Sequence, residues 1–343
     1  MRAEDTLMFR EAAEGPAVAG DQLVGNRTAV LSLAAELRKA APRAVMTLGR
    51  GSSDHATTFA RYLIETRINI LTSSVAPSVA SVYEARVLTD NVLCLVISQS
   101  GRSPDLLASA KAAANAGARV VALVNDEASP LASMADVVLP LRAGTETSVA
   151  ATKSYIASLV AIAHLVGHWT QDETLLTAID QLPQLLVQAW ALDWSAARST
   201  LLGAHNLYVI GRGLGLAVAQ EAALKFKETC GIHAEAFSAA ELRHGPMALV
   251  GPGFPVLGLV QEDSTRVGVE SEIARCVWQG ATVLQAGGSP QEGALQLPTC
   301  AAHPVLAPIA AIQSFYRMAS SLAVARGFAP DEPPHLSKVT MTR

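Results

Sequence analysis

Ala44-Val45-Met46-Thr47-Leu48-Gly49-Arg50-Gly51-Ser52-Ser53 is an apolar run of strand length that stops on a Gly-Arg-Gly-Ser-Ser turn, and a helical pattern begins near Asp54. The same order returns at Leu207-Tyr208-Val209-Ile210-Gly211-Arg212-Gly213, again followed by a long helical pattern. The two turns stand 162 residues apart (211 − 49). That period is far too long for a solenoid repeat and is close to a domain length, so it points to duplication of a whole domain. Working outward, the runs 92–97 (VLCLVI), 119–124 (RVVALV) and 136–139 (DVVL) complete the first copy, and 254–260 (FPVLGLV) and 281–284 (ATVL) the second. Short apolar runs alternating with helical stretches predict βαβ units and parallel sheets, an α/β fold with helices on both faces. The expected domains are an N-terminal helical arm over 1–42, a first α/β domain over 43–190, and a second over 191–343 whose tail carries Lys338. A helical stretch over 151–195 joins the copies. The Pro-rich segment at Asp331-Glu332-Pro333-Pro334-His335 is expected to lie non-helical across the surface.

With 343 residues, half of them apolar and 16% charged, the chain has material for sizeable cores and is not a disordered polymer. Lys plus Arg total 26 and Asp plus Glu 30, a net charge of −4. That balance argues against a general nucleic-acid or membrane-surface binder and still permits a locally basic pocket. Cys94, Cys230, Cys276 and Cys300 have neither metal-ligand nor redox spacing and read as free thiols of a reducing compartment. The charged N-terminus has no apolar leader core, and the best apolar run, 157–169, is too short to span a membrane and contains His164 and His168. A cytoplasmic protein is expected. The basic residues divide into 20 Arg and only six Lys. A lysine retained in such a chain is a candidate for work that arginine cannot do, such as imine formation.

Four signals carry chemistry. Ser98-Gln99-Ser100-Gly101-Arg102-Ser103-Pro104 sits at the end of a strand and opens a helix. Free N–H groups and the positive end of the helix dipole favour an anion there, and the hydroxyls and amide can ring a phosphate. Serines also cap helices for structural reasons alone, but this run lies at the sheet edge where α/β proteins take ligands. Ser52 and Ser53 follow a neighbouring strand and can complete the ring. The second copy has Gln261-Glu262-Asp263-Ser264 in the corresponding place, and its carboxylates would repel phosphate. Next, Glu221, Lys225 and Glu228 fall on one face of a helix. Such spacing is commonly a solvated ion-pair face, yet the surrounding sequence is apolar, and a glutamate near a substrate carbon can move a proton. Third, Gly245-Pro246 leaves His244 at a loop edge, where a histidine can act as acid or base. Fourth, Lys338 lies in a tail of apolar and β-branched neighbours.

Together, Gly51-Ser52-Ser53-Asp54-His55-Ala56, Ile97-Ser98-Gln99-Ser100-Gly101, Val149-Ala150-Ala151-Thr152-Lys153, the block 221–249 (EAALKFKETCGIHAEAFSAAELRHGPMAL) and Leu336-Ser337-Lys338-Val339-Thr340 resemble the pair of sugar isomerase (SIS) domains of glucosamine-6-phosphate synthase. The likeness runs from about residue 8 to 343. It implies two tandem SIS domains, each a parallel sheet flanked by helices. It also implies that Ser52, Ser53, Ser98, Gln99, Ser100 and Ser103 hold a sugar phosphate, with Val149, Glu221 and Lys225 lining the sugar. Glu228 would move the proton between C1 and C2, His244 would assist ring opening from the other subunit of a homodimer, and Lys338 would match an imine-forming lysine. Two positions depart from the synthase: Ala151 stands where it has a sugar-contacting serine, and the tail is one residue shorter after Lys338. The synthase also carries a glutaminase domain, whereas this chain starts with isomerase-like sequence. The Gly49-Arg50-Gly51-Ser52-Ser53-Asp54-His55 form and the tail look most like stand-alone isomerase-type glucosamine-6-phosphate deaminases. The expected function is deamination and isomerisation of glucosamine 6-phosphate to fructose 6-phosphate and ammonia, with no metal or cofactor. The alternatives are a fructosamine-phosphate deglycase, an aldose–ketose isomerase, or a non-catalytic sugar-phosphate sensor.

Overall fold

Every residue of Val92–Ser98 is buried, as a strand covered on both faces must be. The computed structural model, which describes residues 2–338, places this strand at the centre of one of two compact units. The first comprises residues 17–146, 153–181 and 337–338 and carries β1 (Ala44–Leu48), β2 (Thr72–Ser74), β3 (Val92–Ser98), β4 (Arg119–Val124) and β5 (Val137–Pro140). The second comprises residues 2–16, 147–152 and 182–336 and carries β6 (Asn206–Gly211), β7 (His233–Ser238), β8 (Pro255–Leu259), β9 (Thr282–Ala286) and β10 (Ala294–Leu297).

Both sheets are parallel throughout, so the α/β class read from the sequence holds. Their orders are β2-β1-β3-β4-β5 and, read from the other edge, β7-β6-β8-β9-β10. In chain rank both are 2-1-3-4-5, the arrangement expected of a duplicated unit. The sequence pattern gives no strand over β2, β7 or β10. All three are sheet edges, where partial exposure removes the need for an apolar run; β7, for example, contains the exposed Glu235.

The repeated Gly-Arg-Gly turn shows how far the two copies agree. Gly51 has φ 56° and ψ −130°, and Gly213 has φ 58° and ψ −130°, a region that only glycine enters without strain. A Cβ on Gly49 would come within 2.7 Å of the Ser53 carbonyl carbon, and one on Gly211 within 2.5 Å of the Gly215 oxygen. Each first glycine therefore lets the strand end press against the first turn of its helix, and each second glycine turns the chain into that helix.

Below these turns, Leu48, Val96, Leu106, Ala110, Val120 and Leu131 pack the core of the first unit. In the second, the Tyr208 ring packs against Phe237 at 4.9 Å and Phe254 at 4.8 Å, above Ile210, Val256, Ile273 and Val283. Each such aliphatic side chain contributes about 1.5–3 kcal/mol relative to exposure. Cys94, Cys230 and Cys276 are buried, Cys300 is partly so, and none is in a disulfide.

Candidate functional site

In a sheet of order 2-1-3-4-5, the chain leaves β1 and β3 in opposite directions, and a crevice opens beyond their carboxyl ends. In the first unit this crevice is bordered by the turn 49–53 after β1 and the turn 98–103 after β3. Ser52 and Ser53 open the helix Ser52–Ile68, and Ser103 is the N-cap of the helix Pro104–Asn115. Ser98 Oγ accepts from the Gly101 N–H at 2.9 Å, and Ser100 Oγ accepts from the Arg102 N–H at 3.4 Å. These two hydroxyls therefore shape the loop and retain their own protons for donation. The side chains of Ser53, Gln99 and Ser103 make no hydrogen bond to any described residue, and Ser103 does not use its hydroxyl as a cap. Three half-buried polar groups at one crevice are thus left for a ligand.

The two walls are tied together by a pair that the sequence reading passed over. Arg50 donates to Asp105 Oδ2 through Nε at 3.0 Å and through Nη2 at 2.6 Å. The Asp105 side chain is fully buried, and its Oδ1 accepts from the Leu106 N–H at 2.8 Å. Arg102 makes a similar link to Asp126 at 2.7 Å, and that guanidinium holds the Asp126 carboxyl below its usual range. Charge-assisted bonds of this type fix loop geometry more firmly than neutral ones.

Lys338 is also placed in the first unit. Its Nζ donates to Glu146 Oε2 at 3.1 Å. The Glu146 side chain is wholly buried and accepts from the Ser154 N–H at 3.2 Å and from Ser154 Oγ at 2.6 Å. A buried carboxylate is the partner that a tail lysine needs in order to stay put. Sequence reasoning missed Glu146; the available signal was an acid four residues before the Ala150-Ala151-Thr152-Lys153 stretch. Val339 and Thr340, the last two residues of the tail motif, lie outside the described residues.

The second unit holds the remaining candidates. On the helix Leu214–Cys230, Glu221 and Lys225 are fully buried and Glu228 is partly exposed. Lys225 Nζ lies 2.5 Å from Glu228 Oε2 and 3.3 Å from Glu221 Oε1. Tyr316 Oη donates to Glu221 Oε1 at 3.0 Å. The solvated ion-pair face that this spacing commonly signals is therefore not what forms. Burial works to lower the Lys225 pKa, but the attraction of Glu221 and Glu228 outweighs it, and the value is raised. The result is an ammonium fixed between two carboxylates, with Glu228 the one that keeps some exposure.

His244 ends the 3-10 turn Ala239–His244 and is exposed. Leu242 anchors that turn in the core, and Arg243 donates to the buried Glu272 carboxylate at 2.8 Å. Val149 is half-buried, and its N–H donates to the Asp331 carbonyl at 3.1 Å. Glu11 secures the same loop by accepting from the Thr147 N–H at 2.5 Å and the Ser148 N–H at 3.2 Å. Asp331 in turn caps the helix Leu7–Ala13 by accepting from Leu7 and Met8 N–H groups at 2.8 and 2.7 Å.

The crevice between β6 and β8 has no serine ring. Glu262 pairs with Arg266, and Asp263 Oδ1 accepts from the N–H and hydroxyl of Thr265 at 2.8 and 2.6 Å. The second copy thus presents paired carboxylates where the first presents hydroxyls and an amide. Among the described residues, no helix is long and apolar enough to cross a membrane.

The family model of the SIS domain matches residues 36–166 and 200–271, more than half of the chain. The chain belongs to the SIS domain family. Its two sheets are the two SIS domains. Among curated proteins, it is 37% identical over 314 residues to the glutamine–fructose-6-phosphate aminotransferase (isomerizing) of Aeropyrum pernix, covering 86% of this chain and 50% of that protein. It is 35% identical to the enzyme of the same name from Symbiobacterium thermophilum, covering 97% of this chain and 58% of that one. The chain thus spans about half the length of the curated relatives it matches. Among solved structures, a Silicibacter pomeroyi protein provisionally assigned as a phosphosugar isomerase shares 42% identity, with a TM-score of 0.91 and coverage of 95% of this chain and 100% of that one. The glucosamine-6-phosphate deaminase of Thermotoga maritima has a TM-score of 0.78 at 20% identity, covering 98% of this chain and 100% of that one, a likeness of fold alone.

Proposed function

We propose that this SIS protein is a phosphosugar isomerase-type enzyme whose substrate is an amino-sugar 6-phosphate, and that it converts glucosamine 6-phosphate and water to fructose 6-phosphate and ammonia. The observation that carries the reading is the crevice beyond β1 and β3, where the side chains of Ser53, Gln99 and Ser103 have no hydrogen-bond partner among the described residues and Arg50 clamps the walls through Asp105. The identities with aminotransferases of fructose 6-phosphate support a hexose 6-phosphate as ligand.

In this scheme the phosphate is held by Ser53, Ser98, Gln99, Ser100 and Ser103, with Ser52 beside them. Val149, Glu221 and Lys225 belong to the sugar-binding set. His244 delivers the proton that opens the ring; its exposure supports use by the second subunit of a homodimer. Glu228 removes the C2 proton of the open-chain aldehyde, leaving an enolamine, and returns a proton to C1 to give the C2 imine. Water adds to C2 and ammonia leaves, so atoms and charge balance without a redox partner. Lys225 keeps a cation against Glu228 throughout. In the same scheme Lys338, whose Nζ donates to Glu146, exchanges with the C2 imine.

Glu228→Gln keeps the shape and removes the base. Turnover should fall by about 10²–10⁴-fold, while fructose 6-phosphate binding measured by calorimetry stays within a few-fold of the parent. Near-normal turnover would remove Glu228 from the chemistry. Ammonia release from a panel of amino-sugar phosphates separates deamination from deglycation and from isomerisation that retains nitrogen. Absence of ammonia from every member, with ketose–aldose interconversion intact, would overturn the deaminase reading and leave the isomerase.

A further inference from the structure

His164 and His168 stand one turn apart near the carboxyl end of the helix Lys153–Thr170. Residues four apart share a helix face, and these two ring centres are 5.0 Å apart. His164 is only 5% exposed, yet its imidazole makes no hydrogen bond to a described residue. It borders a cavity of about 430 Å³ in the first unit, remote in sequence from the serine turns. His168, Arg27, Arg38, Glu173 and Asp180 border the same cavity. The ring is largely buried, no His164 nitrogen is among the sealed-off polar atoms that lack a partner, and the open space beside the ring admits a ligand.

The ring spacing says which partner fits. A zinc-type ion sits about 2.0–2.1 Å from an imidazole nitrogen, hence about 3.2 Å from the ring centre, so two rings on one tetrahedral ion stand about 5 Å apart. Two histidines four apart on a helix are a recurrent chelate for such ions. An anion fits less well. The carboxyl end of a helix presents partial negative charge, Glu173 and Asp180 offset the two arginines, and Arg38 is already engaged with the His168 carbonyl.

We propose that His164 and His168 form a two-histidine chelate for a borderline divalent cation of the Zn²⁺, Ni²⁺ or Cu²⁺ type. Among the described residues, no group of three His, Cys, Asp or Glu side chains converges to hold a metal. The protein therefore supplies two ligands, and water or a small anion fills the remaining positions. Mg²⁺, which prefers oxygen and near-octahedral geometry, is excluded. The ion would pin the last turn of the helix whose first turn gives Ser154 to Glu146.

The test is titration of the untagged full chain with Zn²⁺ alone, followed by calorimetry and thermal unfolding. One saturable ion per chain is expected, with a raised Tm and no response to Mg²⁺. His168→Gln and His164→Gln should each weaken binding by about tenfold or more. His168 is partly exposed, so His168→Gln should keep the metal-free Tm of the parent and guard against a folding artefact at His164. With Cu²⁺, the electron paramagnetic resonance spectrum should show two coordinated nitrogens in the parent and one in His168→Gln. Absence of a saturable site, or an unchanged Zn²⁺ affinity in His168→Gln, would overturn the proposal. Neither outcome bears on the sugar-phosphate reading, which is tested through Glu228.

Discussion

Lys225 holds the buried Glu221 and the partly exposed Glu228 where two carboxylates would otherwise repel each other. Removing one member of a buried ion pair costs about 3–5 kcal/mol, because the charges left behind have lost their solvent as well as their partner. Lys225→Met should therefore lower stability by about that amount, a large share of what a domain usually has. Urea unfolding followed by circular dichroism checks it. Lys225→Met combined with Glu221→Gln should recover part of the loss, and an unchanged midpoint in the single variant would mean that the ammonium does not carry the triad. The scarcity of lysine made this residue conspicuous in the sequence, since a chain with 20 Arg and six Lys has passed over arginine there. The structure adds why: arginine's planar fork does not suit a point charge between two acids on one helix face. The spacing of Glu221, Lys225 and Glu228 was legible; their burial was not, because it depends on Tyr316, a residue 95 positions away from Glu221. For the same reason Glu146 and the Arg50–Asp105 clamp escaped notice. Each is a partner set by tertiary folding, with no local pattern to mark it.

The helix Lys153–Thr170 is buried along nearly its whole length, and that fixes a pH response. Burial, then the neighbouring His168 and Arg27, push the His164 pKa down from its ordinary 6.5 to about 4. Between those values the unfolded chain takes up a proton that the folded chain refuses, so the stability contributed by neutral His164 is complete above pH 6.5 and is lost as pH falls towards 4. Between pH 7 and pH 5 the loss is about 2 kcal/mol. Thermal or urea unfolding at the two pH values, in chelator-containing buffer, should show the decline, and His164→Gln should flatten it. A parent whose midpoint does not move between pH 7 and pH 5 would mean that His164 is protonated in the folded state. The run 157–169 drew attention in the sequence as too short to span a membrane, and its apolar character is explained here by burial between other elements of one domain. Central strands were legible in the same way, since continuous burial demands continuous apolar sequence. The edges β2, β7 and β10 face that demand on fewer sides and left no run to read.

At the scale of the whole molecule, duplication preserved the scaffold and let the chemistry diverge. Strand order, parallel pairing and the paired glycine geometry at Gly51 and Gly213 agree between the copies. Those features solve a problem of backbone and packing that both copies share. The loops beyond β3 and β8 do not have that constraint. One became a ring of hydroxyls over a helix N-terminus, and the other a pair of carboxylates satisfied by Arg266 and Thr265. A phosphate dianion brought to the second crevice would face the Glu262 and Asp263 carboxylates, and like charges at close range disfavour binding. The stoichiometry should therefore be one sugar phosphate per chain despite two SIS domains. Calorimetric titration with fructose 6-phosphate should saturate at one equivalent. Ser100→Ala combined with Ser103→Ala should abolish that single isotherm and leave no weaker one behind it, while Glu262→Gln combined with Asp263→Asn should leave it unchanged. Two equivalents in the parent, or a surviving isotherm in the serine double variant, would mean that the second copy has kept an anion site that its residues argue against.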